Sequence, residues 1–331
     1  MTKRIVLAVT IVLFIVSIAV GCKTTASTPP ANGNTSKITA TIVEPDDGVK
    51  PILEFIRQAK STVDIEVYLL SERGVLDALK EAKQRGINVR VMLEEHPFGG
   101  GEGNATVFRQ LRDAGINVKW SNPAFRFTHE KVIIVDRAAA AIMTLNITRS
   151  SFTQNREFAV IDNAPNIVAQ VQAIFDADWE RRAYKSSDPN LVVSPDNARG
   201  KLLDLIGNAQ RSLDIYAEEM NEKTVEDALI KAVKRGVKVR VIMSAAQSTE
   251  RDGNERGRAN IRRAGADVRI VNKPYIHAKI ILVDKNLAFV GSQNFSATSL
   301  DQNRELGLVV SNSSTLERIQ TVFDKDWAGG R

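Results

Sequence analysis

An α/β fold of two duplicated domains is predicted by three observations. The chain repeats itself: Ser61-Thr-Val-Asp64-Ile matches Arg211-Ser-Leu-Asp214-Ile, and Gln84-Arg-Gly86 matches Lys234-Arg-Gly236, each pair 150 residues apart. A repeat of that length is domain-sized, too long for a solenoid unit. Within each copy, strand-like runs alternate with helical ones, the pattern of a layered α/β domain with a mostly parallel, mixed sheet. Finally, 331 residues with 43% apolar and 25% charged content are enough for two ordinary cores. Extensive disorder is excluded.

Taken in order, residues 1–21 read as an export signal. Lys3 and Arg4 precede an uncharged, mostly apolar run from Ile5 to Val20, followed by Gly21-Cys22. That run is shorter than the roughly 20 residues that span a bilayer as a helix. Cys22 is the only cysteine, so an intrachain disulfide and a cysteine-rich metal site are both excluded. Its position resembles that of the lipidated cysteine in a bacterial lipoprotein signal, although Ala19 stands where Leu is usual. The expectation is an exported protein, periplasmic or at the cell surface, tethered to membrane through Cys22. Residues 22–37, rich in Thr, Pro, Asn and Ser, read as a flexible tether.

The first domain is expected over residues 38–185. Ile52, Phe55, Ile56 and Ala59 mark one face of a helix, and Val63–Leu70 reads as a strand. A helix over 72–85 ends at Gly86, a strand follows at Val89–Leu93, and another helix lies near 105–114. Gly99–Gly103 lacks the Gly-Lys-Ser/Thr of a nucleotide P-loop and reads as a loop. A linker near Tyr184–Asn190 leads to the second domain, 190–331, which repeats the series.

The chain has three histidines, and two of them occupy the same setting: His129-Glu-Lys131-Val-Ile-Ile-Val-Asp136 and His277-Ala-Lys279-Ile-Ile-Leu-Val-Asp284. Side chains two apart on a strand share a face, so each His projects with its Lys. Asp136 and Asp284 have the opposite parity and are expected to be structural. The repeat continues at an offset of 148 through Asn146/Asn294, Glu157/Glu305 and Trp179/Trp327. A pseudo-two-fold axis would bring both His-Lys pairs into one cleft. One imidazole could then attack while the other donates a proton, with lysines and asparagines holding an anionic group between them. Those parts suit phosphoryl transfer.

His277-x-Lys279-x4-Asp284-x6-Gly291-Ser292-x-Asn294, together with the first copy, resembles the HKD motif of the phospholipase D superfamily. The resemblance spans nearly all of residues 40–331. It implies two α/β/α sandwich domains with a joint active site at their interface, a phosphohistidine intermediate, and neither metal nor cofactor. His129 is then the expected nucleophile and His277 the general acid. Lys131, Lys279, Asn146, Asn294, Ser292 and Thr144 are the expected phosphate-binding groups. Glu157 and Glu305, each 28 residues after the histidine of its own copy, are expected to orient the imidazoles. In the first copy Met143 and Thr144 replace Gly291 and Ser292, so an asymmetric site is expected, with Met adding bulk where Gly allows close approach.

The leading functional expectation is hydrolysis of glycerophospholipids to phosphatidate and a headgroup alcohol, with phospholipid or a membrane surface as partner and no obligate protein partner. The alternatives are an exported nuclease on DNA or RNA, a phosphatidyltransferase resembling cardiolipin synthases, and a non-catalytic phosphate-binding protein. The net charge of +6 leans mildly toward anionic partners. His96 and the arginines 251, 256, 258, 262 and 263 read as solvated surface. Phe125, Phe127 and Tyr275 flank the motif histidines, at the site entrance or in the core. Trp179 and Trp327 read as packing residues.

Overall fold

The computed structural model describes residues 36–98, 103–246 and 252–331. The export signal, Cys22, most of the tether, most of the glycine-rich loop and Arg251 lie outside the described residues. The first half runs β1 (Ile38–Glu44), α1 (Lys50–Arg57), β2 (Thr62–Val67), α2 (Arg73–Gln84), β3 (Asn88–Leu93), α3 (Ala105–Asp113), β4 (Asn117–Trp120), β5 (Lys131–Val135), β6 (Ala139–Met143), α4 (Arg149–Thr153), β7 (Asn155–Asp162) and α5 (Pro165–Trp179). The second half runs β8 (Leu191–Ser194), α6 (Ala198–Asn208), β9 (Ser212–Tyr216), α7 (Lys223–Lys234), β10 (Lys238–Met243), α8 (Glu255–Arg263), β11 (Asp267–Ile270), β12 (Tyr275–Ile276), β13 (Ile280–Val283), β14 (Leu287–Gly291), α9 (Ala297–Asp301), β15 (Glu305–Val310) and α10 (Ser313–Gly329).

The two sheets have the same plan, β1-β7-β6-β5-β2-β3-β4 and β8-β15-β14-β13-β9-β10-β11. Only the β2-β3-β4 and β9-β10-β11 steps are parallel, and the other four steps in each sheet are antiparallel. The sheets are mixed as expected, but not mostly parallel. Parallel neighbours need a crossover helix, which α2, α3, α7 and α8 supply. After β5 and β13 the chain instead turns back within a few residues, which forces a hairpin.

Those turns explain the motif aspartates. Asp136 and Asp284 lie just past the ends of β5 and β13 with φ of 55° and 51°, in the left-handed region that Asp tolerates. Asp136 accepts hydrogen bonds from the backbone N–H of Lys60, Ser61 and Thr62, at 2.7–3.1 Å. Asp284 does the same for Gln210, Arg211 and Ser212. Both carboxylates are held below the ordinary range: burial opposes this, but the converging N–H groups outweigh it. Each Asp staples the turn before β2 or β9 to the hairpin beside it, far from any reacting atom.

The strands between His-Lys and Asp are buried on both faces. Val132 and Ile134 from β5 meet Ile280 and Leu282 from β13 in a core shared by both halves, with α5 and α10. Ile133 and Val135 face the outer helices of the first half, and Ile281 and Val283 those of the second. Trp179 stacks on Phe175 beneath Arg90, and Trp327 on Phe323 beneath Arg240, so both tryptophans tie the inner helices to their sheets. No helix among the described residues is long and apolar enough to cross a membrane.

Candidate active site

The histidines are positioned by an exchange of backbone between the halves. β12 of the second half pairs in parallel with Asn155–Arg156 of β7 in the first, and His277 N–H donates to the Arg156 carbonyl at 3.3 Å. Reciprocally, Thr128 bridges to Arg304, and His129 N–H donates to the Arg304 carbonyl at 2.8 Å. Each histidine therefore hangs beside the glutamate of the other half. His129 Nδ1 donates to Glu305 Oε2 at 2.8 Å, and His277 Nδ1 lies 2.7 Å from Glu157 Oε1, less well aligned. This corrects the expectation that each acid orients the histidine of its own copy. The pairs are crossed because the segment before each His leaves its own sheet to hydrogen-bond the chain just before the opposite Glu, at Asn155–Arg156 or Arg304.

Both glutamates are fully buried and held from behind. Glu305 Oε1 accepts from Ser299 Oγ at 2.6 Å and Asn303 Nδ2 at 3.1 Å. Glu157 Oε2 accepts from Thr144 Oγ1 at 2.6 Å. Thr144 is thus a support for the carboxylate and not a phosphate ligand. Ser292 Oγ is likewise sealed in, bonded to the backbone of Leu306 in β15. Both hydroxyls were expected to bind phosphate, but they sit on the sheet side of the strands, with no exposed surface. Ser299 and Asn303 escaped the sequence reading because their partner is set by α9, which the motif does not encode.

With Nδ1 occupied, Nε2 of each imidazole is the nitrogen left for chemistry. Both histidines line one cavity of about 610 Å³, with Tyr68, Phe127 and Asn146 from the first half and Glu218, Glu219 and Asn294 from the second. The side-chain oxygens of Asn146 and Asn294 are buried without a hydrogen-bond partner. Burial brings His129 down to about 4 against the pull of Glu305, with Lys131 adding to the depression, so its imidazole is neutral at pH 7. Glu305 stays below the usual carboxylate range: burial opposes this, but the hydrogen bonds from His129 and Ser299 and the Lys131 charge outweigh it.

The two lysines are buried next to the histidines but differ in their partners. Lys131 Nζ donates to the His129 carbonyl at 2.5 Å and lies 5.5 Å from the Tyr68 ring centroid. Burial lowers it to about 7, and the Lys279 charge adds to that. Lys279 Nζ donates to the His277 carbonyl and to Glu218 Oε2, both at 2.5 Å. Tyr68 and Glu218 were missed by the sequence reading. The signal was available: they are 150 residues apart, directly beyond β2 and β9, at the carboxyl ends of parallel strands where ligands gather.

The expected site asymmetry has a different origin from the Met143/Gly291 exchange. Met143 packs in the outer core. A Cβ at Gly291 would lie 2.6 Å from Phe289 Cζ and 2.7 Å from Gly307 Cα, so glycine makes room for the Phe289 ring rather than for substrate. Ala141 and Met143 in β6 are replaced by Phe289 and Gly291 in β14, a compensated swap of bulk. Of the remaining residues, His96 is exposed, and Phe125 covers the Arg304 guanidinium at 4.1 Å. Arg258, Arg262 and Arg263 are tied to Asp252, the Val268 carbonyl and Asn260. A buried group of three carboxylates, Glu66, Glu130 and Asp178, has the composition of a cation site, but Arg304 already stands 2.7 Å from Asp178.

Comparison with known proteins agrees with this geometry. A family model described as "Cardiolipin synthase, PLD-like domain" matches twice, over residues 52–179 and 202–327. Cardiolipin synthase 1 of Bacillus cereus is 24% identical, the match covering 90% of this chain and 67% of that protein. Minor cardiolipin synthase ClsB of Bacillus subtilis is 21% identical over 85% of this chain and 79% of its own length. Among solved structures, phosphatidylserine synthase of Haemophilus influenzae superimposes with a TM-score of 0.65 at 15% identity, covering 82% of this chain and 83% of that one. Polyphosphate kinase of Porphyromonas gingivalis gives a TM-score of 0.68 at 17% identity over 86% of this chain and 49% of its own, so these two share the fold. With both halves matched and both motif histidines meeting in one cavity, the chain belongs to the phospholipase D superfamily, as a tandem of cardiolipin synthase-type PLD-like domains.

Proposed function

We propose that the protein is a phosphatidyltransferase that exchanges the alcohol on a glycerophospholipid phosphodiester. The observation that carries this reading is the pair of imidazoles in one cavity, each with Nδ1 against a buried carboxylate of the other half and Nε2 on the cavity side. In the first step, Nε2 of one histidine forms a bond to phosphorus as the bond to the leaving alcohol breaks. The alkoxide takes its proton from Nε2–H of the other histidine. In the second step, an entering alcohol returns a proton to that nitrogen as its oxygen bonds phosphorus and the N–P bond breaks. Lys131, Lys279, Asn146 and Asn294 hold the phosphoryl oxygens.

Transfer is preferred to the hydrolysis that the sequence put first because the relatives that match over most of this chain are cardiolipin synthases. Hydrolysis is the same cycle with water as acceptor. Glu218 and Glu219 on the cavity wall weigh against a nucleic acid, whose neighbouring phosphates they would repel. An export signal and a lipidated Cys22 would put the enzyme beside its lipid. The test is incubation of the protein lacking residues 1–35 with phosphatidylglycerol vesicles, with phosphatidylcholine and with single-stranded DNA, each with and without glycerol and chelator. Cardiolipin from phosphatidylglycerol, abolished by His129→Ala, supports transfer. Phosphatidate alone in the presence of excess alcohol refutes transfer in favour of hydrolysis, and cutting of DNA alone refutes both.

A further inference from the structure

The two half-sites are built from matching residues with one chemical exception at the reacting nitrogen. Where the first half places Tyr68, the second places Glu218. The Tyr68 ring meets His129 edge-on, centroids 4.7 Å apart, and brings no charge. Glu218 Oε2 lies 3.5 Å from His277 Nε2 and 2.5 Å from Lys279 Nζ.

We propose that Glu218 is the positioning residue that divides the labour: it keeps a proton on His277 Nε2, making His277 the acid and leaving His129 as the attacking nucleophile. The inference rests on the two-histidine reading above and goes beyond it by naming the residue that would enforce the division of roles the family resemblance implies.

The surrounding charges support this. Facing His277 are Glu157 from β7, Glu218 from the segment after β9, and Lys279 from β13, two carboxylates to one ammonium. Facing His129 are Glu305 from β15 and Lys131 from β5, with Lys279 adding a second positive charge. Glu219, also on the cavity wall, is pushed upward by burial and then by the Glu218 charge. Glu218 itself is held well below the ordinary carboxylate range: burial alone would raise it, but the His277 and Lys279 charges and the Lys279 hydrogen bond outweigh that. Glu218 Oε2 and Lys279 Nζ each lie 3.5 Å from His277 Nε2 and pair with each other at 2.5 Å, so the carboxylate is placed to accept from an Nε2–H while it holds the ammonium. His129, with no such carboxylate at Nε2, keeps the lone pair that attack on phosphorus requires.

The test uses Glu218→Gln and Glu218→Tyr, the second installing the residue of the other half. The measurements are the pH profile of kcat/KM and the site of covalent modification after alkaline quench, read by mass spectrometry. In the wild type the phosphatidyl adduct is expected on His129. In Glu218→Gln the high-pH limb should move down by about one pH unit with the low-pH limb in place. In Glu218→Tyr adducts should appear on both histidines. An unmoved high-pH limb in a folded, active Glu218→Gln protein, or a wild-type adduct on His277, overturns the proposal. Turnover with no adduct on either histidine overturns the phosphohistidine reading on which it stands. A Glu218→Gln protein that shifts both limbs equally reports general disturbance and also counts against it.

Discussion

Beneath His129 the first half buries Glu66 and Glu130, where the second half, beneath His277, buries Tyr216 and Ala278. Each set surrounds an arginine–aspartate pair that joins the halves: Arg304 with Asp178 in one case, Arg156 with Asp326 in the other. In the second half the network closes, with Tyr216 Oη donating to Asp326 at 2.7 Å. In the first it does not: the carboxyl groups of Glu66 and Glu130 are buried against each other, with no hydroxyl or amide donor on their oxygens. Burial, then the charge of Asp178, raises Glu130 to about 8, and Glu66 is raised by burial and by Glu130. Duplication preserved the backbone and the inter-half arginines while the supports under the two imidazoles diverged. The halves are therefore alike in geometry and unlike in proton affinity.

The largest test of that difference is at the histidines. His129→Ala and His277→Ala should each lower turnover of a phospholipid by ~10⁴-fold or more. On a p-nitrophenyl phosphodiester, whose leaving group needs no proton, His277→Ala should recover the first-turnover release of p-nitrophenolate, though not the second step, and His129→Ala should recover neither. Equal recovery would show that the two roles are interchangeable. Next come the crossed carboxylates. Glu305→Gln and Glu157→Gln should each cost on the order of 10²-fold in kcat. In double-mutant cycles Glu305 should couple to His129 and not to His277, and coupling within a half would disprove the crossing.

Stability effects are smaller. Gly291→Ala should destabilise by about 1–3 kcal/mol in denaturant unfolding, because the Phe289 ring has nowhere to go. The matching position in the first half already carries Met143, so Met143→Leu should cost less than about 1.5 kcal/mol. The last expected effect, read only as a pH dependence, is at Glu130. A buried carboxyl raised to about 8 is protonated in the folded protein and costs nothing at low pH, but burdens the fold increasingly as pH rises from about 4.5 to 8. Glu130→Gln should therefore flatten the fall in Tm between pH 5 and 8, by a few degrees at the alkaline end, and should leave Tm at pH 4 nearly unchanged. A pH-independent change in Tm would mean that Glu130 is not titrating in that window.

Much of the site was legible before any coordinates. His129, His277, the buried strands after them and the two acids at matched spacing all follow from a repeat that keeps register. The crossing of the acids was not legible, because a 28-residue spacing common to both copies is the same for self-pairing and exchange. The roles of Thr144 and Ser292 were misjudged for a similar reason. Strand parity says which side chains share a face but not which face meets the cavity. Sheet direction was overcalled as parallel because helix–strand alternation dominates the first part of each half, and the hairpins after Asp136 and Asp284 carry no glycine or proline to announce them.

The sequence by itself determined the duplicated α/β plan, the chemical groups that meet a phosphodiester and the strands that carry them, since periodicity and residue type are local properties. Only the tertiary structure decided which carboxylate lies against which imidazole and that Tyr68 and Glu218 stand beside the two rings. Those contacts join segments more than 50 residues apart, through backbone pairing between halves and the packing of two sheets on one shared core. No run of neighbouring residues records them.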